Sequence, residues 1–93
     1  MDYCIIPLTS VTNAKRFEKN ALSSGIPSSV TVTPKGISKH GCSHALRLRL
    51  SDAERCIVLG KSLGFKMGGV FKEVKEKNMP PYYVRLEQYD DLL

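Results

Sequence analysis

Residues 45–50 read ALRLRL, and this run constrains the fold more tightly than any other. Side chains alternate across an extended backbone, so Leu46, Leu48 and Leu50 share one face and Arg47 and Arg49 the other. A strand with one apolar and one charged face belongs in an antiparallel sheet covered on a single side. The next residues supply the cover. Ser51 and Glu54 are spaced as a capping box, and Ala53, Cys56, Ile57, Gly60 and Leu63 form one helical stripe that stops at Gly64.

The first half of the chain repeats this organisation. YCIIPLTS (3–10) is a short strand with Cys4, Ile6 and Leu8 on one face. Thr12 offers an N-cap for a helix with Ala14, Phe17, Ala21 and Leu22 at helical spacing, and Gly25 ends it. IPSSVTVTP (26–34) is a second strand that sets Val30 and Val32 opposite Thr31 and Thr33, and residues 68–76 form a last one around Val70, Phe71 and Val74. Each half reads strand, helix, glycine, strand, which is a split βαβ unit. The order βαββαβ predicts an α+β ferredoxin-like sandwich, an antiparallel sheet with both helices on one face. Ala14, Phe17, Ala21, Leu22, Ala53, Ile57, Leu63, Ile6, Leu8, Val30, Val32, Leu46 and Leu48 are the expected core. Arg47 and Arg49 are expected on the open face, where Arg47→Ala should be nearly neutral.

The domain is expected over 1–76. Beyond it, KNMPP is a break, and 77–93 is a C-terminal extension in which Tyr82, Leu86, Tyr89 and Leu93 fall on one helical stripe. That spacing fits a tail or short helix docked on its own domain, a homodimer contact, or a disordered end.

Charge and cysteine usage narrow the function. The net charge is +5, and residues 1–75 carry twelve Lys and Arg against Asp2, Glu18, Asp52, Glu54 and Glu73. Such a balance suits acidic partners or simple solubility. Three cysteines, an odd number with no secretory leader in MDYCIIPLTS, argue against a disulfide framework and for a reducing, cytoplasmic setting. No stretch has the roughly 20 apolar residues of a membrane span.

The cysteines differ in context. Cys4 falls in a strand and Cys56 on an apolar helical stripe, positions of small core residues. Cys42 lies in PKGISKHGCSH, a loop-like run with Gly36, Ser38 and Gly41 before it and with Lys39, His40 and His44 nearby. Cationic and polar surroundings favour thiolate, the form that acts as nucleophile. An incidental surface cysteine is the alternative. A second alternative takes His40, Cys42 and His44 as metal ligands, although three ligands do not close a structural zinc site. A hydrolase is disfavoured, with no acidic residue near in sequence and a chain too small for a deep cleft. A nucleic-acid-binding sheet would use Arg47 and Arg49, but strand 45–50 lacks the aromatic residues that stack bases. Nothing calls for a cofactor.

The residues that carry chemistry resemble a known family. The opening strand YCIIPLTS, the helix with FEKNALSSGIP, the loop PKGIS leading to GCSHALRL, and SDAERC together resemble the short bacterial domains known as selenium/sulfur carrier-like proteins, over residues 3–75. Pro34, Lys35, Ile37, Ser38, Cys42, Ala45 and Leu46 fit the family pattern, and Ser43 stands where glycine is usual. The resemblance implies that Cys42 is the carrier residue, assisted by His40, His44 and Lys39. It would hold sulfur or selenium as a persulfide or selenosulfide, exchanged with a cysteine desulfurase or selenium-transfer proteins. A carrier or accessory protein is implied rather than an enzyme.

Overall fold

A computed structural model of the chain describes residues 1–37 and 43–93. Its elements are β1 (Tyr3–Leu8), α1 (Val11–Ser23), β2 (Ser28–Val32), β3 (His44–Arg49), a 3-10 turn (Leu50–Asp52), α2 (Ala53–Ser62), β4 (Phe71–Val74), β5 (Tyr82–Arg85) and a C-terminal 3-10 helix (Glu87–Leu92). The strands form one antiparallel sheet in the order β2-β3-β1-β4-β5. The fold is therefore α+β, with two helices and an antiparallel sheet, as the sequence leads one to expect. It differs from a four-stranded sandwich by β5.

The register shows how the core forms. Cys4 faces Leu48, Ile6 faces Leu46, and Leu46 faces Val30, so these residues share one side of the sheet. On that side they cluster with Ala14, Phe17 and Ala21 of α1 and Ala53, Cys56 and Ile57 of α2. The helices touch closely through rings. Phe17 and Phe65 stack with centroids 5.0 Å apart, and a Cβ built on Gly60 would fall 2.6 Å from the Phe17 ring.

Both helices end alike. The Ile26 N–H donates to the Ala21 carbonyl (2.8 Å) and Gly25 to Leu22 (3.1 Å), while Phe65 donates to Gly60 (2.9 Å) and Gly64 to Lys61 (3.1 Å). These are paired Schellman closures, with Gly25 and Gly64 at φ +79° and +82°. The fold-back explains two errors in the expected core. Ile26 is buried and Phe65 packs against the cluster, whereas Leu22 and Leu63, ahead of the closing glycines, are exposed. Val32 is also outside the core, 69% exposed at the end of an edge strand.

The helix starts differ from the sequence reading too. Ser10, not Thr12, caps α1, its Oγ accepting from the Asn13 N–H at 3.1 Å. Ahead of α2 no capping box forms. A 3-10 turn intervenes, and the buried Asp52 carboxylate bridges Arg49 (3.1 Å) and Arg55 (3.4 Å).

After the KNMPP break, Tyr82–Arg85 pair with β4 instead of continuing as a helix. The run YYVR is aromatic and β-branched, and β4 offers it an edge. Leu86, Tyr89, Leu92 and Leu93 then pack against the core, and the Leu86 N–H donates to the Val70 carbonyl at 2.8 Å.

Candidate functional site

Strands β2 and β3 join through residues 33–43, the segment that carries the sequence candidates. Its base is well defined. Val32 pairs with His44, and the Thr33 N–H donates to the Ser43 carbonyl at 3.0 Å. From there Pro34–Ile37 form a turn, closed by Ile37 N–H to the Pro34 carbonyl at 3.3 Å and eased by Gly36 at φ +91°. Lys39, His40 and Cys42, with Ser38 and Gly41, lie outside the described residues. Of the four sequence candidates, His44 is the one described. It opens β3 opposite Leu8, half-buried, and its Nδ1 shares a 2.9 Å hydrogen bond with Ser43 Oγ.

Thr33 marks this end of the sheet as well. It is buried, and its hydroxyl has no hydrogen-bond partner among the described residues. A buried hydroxyl in a folded protein normally has one.

The other two thiols are removed from chemistry. Cys4 and Cys56 are fully buried in the core, and burial, with a smaller contribution from the neighbouring Asp52 charge, pushes each thiol up to about 12. Neither forms appreciable thiolate near neutrality.

Sequence reasoning missed a second polar cluster. On the face away from the helices, Arg47 lies 4.0 Å above the Tyr3 ring and donates to Glu73 at 2.9 Å. Tyr83 donates to the same carboxylate at 3.3 Å. Burial alone would raise the Glu73 carboxyl, but the Arg47 hydrogen bond and the nearby cations outweigh it and hold the group below its usual value. The arginine side chain thus covers the apolar ring of its neighbour, and Ile5 beside it is buried on what the sequence presents as the wet face. Three aromatic residues, Tyr3, Phe71 and Tyr83, belong to this face, contributed by β1, β4 and β5 rather than by β3. The available signal is period-two alternation, which sets Phe71 and Glu73 on one side of β4. Arg85 lies 5.8 Å from the Phe71 ring, so arginines sit over two of the three rings.

Among the described residues no three His, Cys, Asp or Glu side chains come together as metal ligands. No described helix is long and apolar enough to cross a membrane. The family model described as "Putative Se/S carrier protein-like" matches residues 3–72, from the start of β1 into β4. The chain belongs to this Se/S carrier-like family. No functionally curated protein and no solved structure matches it. The family match takes in the 33–43 connection and both core cysteines, and it ends before β5.

Proposed function

We propose that this Se/S carrier-like chain holds sulfur or selenium on Cys42. The observation that carries the reading is the burial of Cys4 and Cys56, with both thiols pushed up to about 12, which takes two of the three cysteines out of thiolate chemistry. Family membership supplies the cargo. Lys39, His40 and His44 are assigned to favour the anionic forms of the thiol and of its loaded product. The same reading takes β1 to β4 with both helices as a ferredoxin-like unit, extended by β5, on the strand order β2-β3-β1-β4.

The transfer step conserves atoms and electrons. The Cys42 thiolate attacks the outer sulfur of a donor persulfide, such as that of a cysteine desulfurase. The donor's S–S bond breaks and its inner sulfur leaves as thiolate, while a new S–S bond forms on Cys42. With a selenium-loaded donor the outer atom is selenium and a selenosulfide results. Delivery runs in reverse sense: an acceptor nucleophile takes the outer atom and Cys42 leaves as thiolate. Neither step needs a cofactor, and both suit a reducing cytoplasm.

The test is peptide-mapped mass spectrometry after incubation with a desulfurase and cysteine, or with selenocysteine. One added sulfur or selenium atom is expected on Cys42, and none on the Cys42→Ser protein. An added atom on Cys4 or Cys56, or none anywhere, overturns the assignment. Alkylation rates against pH give a second readout, with Cys42 expected to react fastest.

A further inference from the structure

The two edges of the sheet are treated differently. At the β2 edge, the Thr33–Ser43 hydrogen bond sets the alternation, so residues 29 and 31 face β3 and residues 28, 30 and 32 face outward. The middle outward donor is already satisfied, since the Val30 N–H donates to Glu18 of α1 at 2.9 Å. A carboxylate over an edge amide blocks further strand pairing, one of the ways proteins guard open edges.

The β5 edge carries no such guard. There, the Leu86–Val70 hydrogen bond sets the alternation: Tyr82, Val84 and Leu86 bond inward to β4, and Tyr83 and Arg85 direct their N–H and C=O groups outward. Those outward groups have no hydrogen-bond partner among the described residues. On the helix side of the sheet this edge also exposes apolar surface, with Val84 45% and Tyr82 39% accessible.

The spacing of these groups is self-complementary. If a second β5 is laid antiparallel with Val84 opposite Val84, then Tyr83 of each strand faces Arg85 of the other. Both members of each such pair have outward groups, so four backbone hydrogen bonds close. Val84 meets its own copy as the non-bonded pair, where side chains come closest. Tyr82 then meets Leu86 across the seam, and each Tyr83 ring meets an arginine, a favourable pairing of cation and ring. Shifting the register by one residue would set inward groups against outward ones. We infer that the free edge of β5 is a homodimer seam, pairing two copies of this chain antiparallel about a two-fold axis at Val84.

This inference stands apart from the carrier reading, because the proposed seam contains no residue of the 33–43 connection. The test follows mass in solution by sedimentation velocity from about 10 μM to about 1 mM, the range suited to a small interface. The average mass of the unmodified chain should rise toward twice 10.3 kDa. Val84→Lys sets two ammonium groups at the axis and should hold the mass at one chain with an unchanged circular dichroism spectrum and melt. Tyr83→Pro removes an outward donor while keeping the inward β4 hydrogen bonds, as edge strands tolerate, and should also hold the mass at one chain, with a lowered melt because the Tyr83 hydroxyl no longer reaches Glu73. In a Cys42→Ser background, Val84→Cys should be captured as a disulfide-linked dimer under mild oxidation. A chain that stays monomeric throughout, even one whose edge takes up a strand of another protein, overturns the inference. So does a dimer that survives both Val84→Lys and Tyr83→Pro.

Discussion

Arg47 stabilises the fold more than its partial exposure suggests. Its guanidinium covers Tyr3 and pairs with a Glu73 side chain that is 9% accessible, so Arg47→Ala leaves a mostly buried carboxylate with Lys75 and Tyr83 as its partners among the described residues. The expected loss is about 1–3 kcal/mol in urea melts, against the near-neutral outcome that a solvated sheet face would give. A change within about 0.3 kcal/mol of wild type, the scale of an ordinary surface substitution, would show that the pair contributes nothing. The pair also has a pH signature. Because the Glu73 carboxyl is held below 4.5, its contribution is complete above that value and is lost as pH falls below it. The Arg47→Ala protein should therefore lose less stability on acidification than wild type. The buried thiols act at the other extreme. Their folded values near 12 lie above the ordinary 9.0, so their contribution is whole below pH 9 and falls between pH 9 and 12, by up to about 1.4 kcal/mol per pH unit for each thiol. Removing one of them with Cys56→Ala should flatten the alkaline slope of stability, measured as the difference between the two proteins.

The two helices pack tightly where Gly60 of α2 meets Phe17 of α1. Gly60→Ala would gain about 1 kcal/mol of helix propensity, yet the new methyl would sit 2.6 Å and 2.9 Å from two Phe17 ring atoms and 3.0 Å from the Met67 sulfur. Phe17 is fully buried against Phe65 and has no room to retreat. A net destabilisation of about 1–3 kcal/mol is expected by thermal or urea melts, and a stabilised variant would mean that the helices can part. The elements the sequence announced were those with strong local periodicity: ALRLRL, both helical stripes and the two glycine stops. What it hid was decided between elements. The fold-back after Gly25 and Gly64 brings Ile26 and Phe65 to the core in place of Leu22 and Leu63. YYVRLEQY matches helical spacing, but its first half, Tyr82–Arg85, becomes a strand because β4 offers an edge to pair with, and only Glu87–Leu92 is helical, as a 3-10 helix. At the candidate site, sequence picks out Cys42 and its neighbours and already sets Cys4 and Cys56 at core positions, where both are buried, while the Arg47–Glu73–Tyr83 cluster stays hidden because strand pairing assembles it.

At the scale of the whole molecule, the family match stops at residue 72, yet the chain beyond it packs against the core through the partly buried Leu86, Tyr89, Leu92 and Leu93. A chain ending at residue 76 would lose those contacts and leave β4 as a bare edge. It should be less stable by on the order of 3–5 kcal/mol, a large share of what a domain of this size holds. Circular dichroism melts of the 1–76 chain would register this, and a melt equal to that of the full chain would make β5 dispensable. The clamp between Thr33 and Ser43 has a different consequence, which concerns reach. Adjacent Cα atoms are about 3.8 Å apart, so residue 42 is tethered one peptide bond from the strand-bound end of this hairpin. If cargo is held there as proposed, covalent connectivity alone limits its reach from the Thr33–Ser43 clamp to about one residue and its side chain, far short of a long flexible arm. On the proposed carrier reading, an acceptor would bring its own reactive atom to this end of the sheet, where β2, β3 and β1 lie side by side.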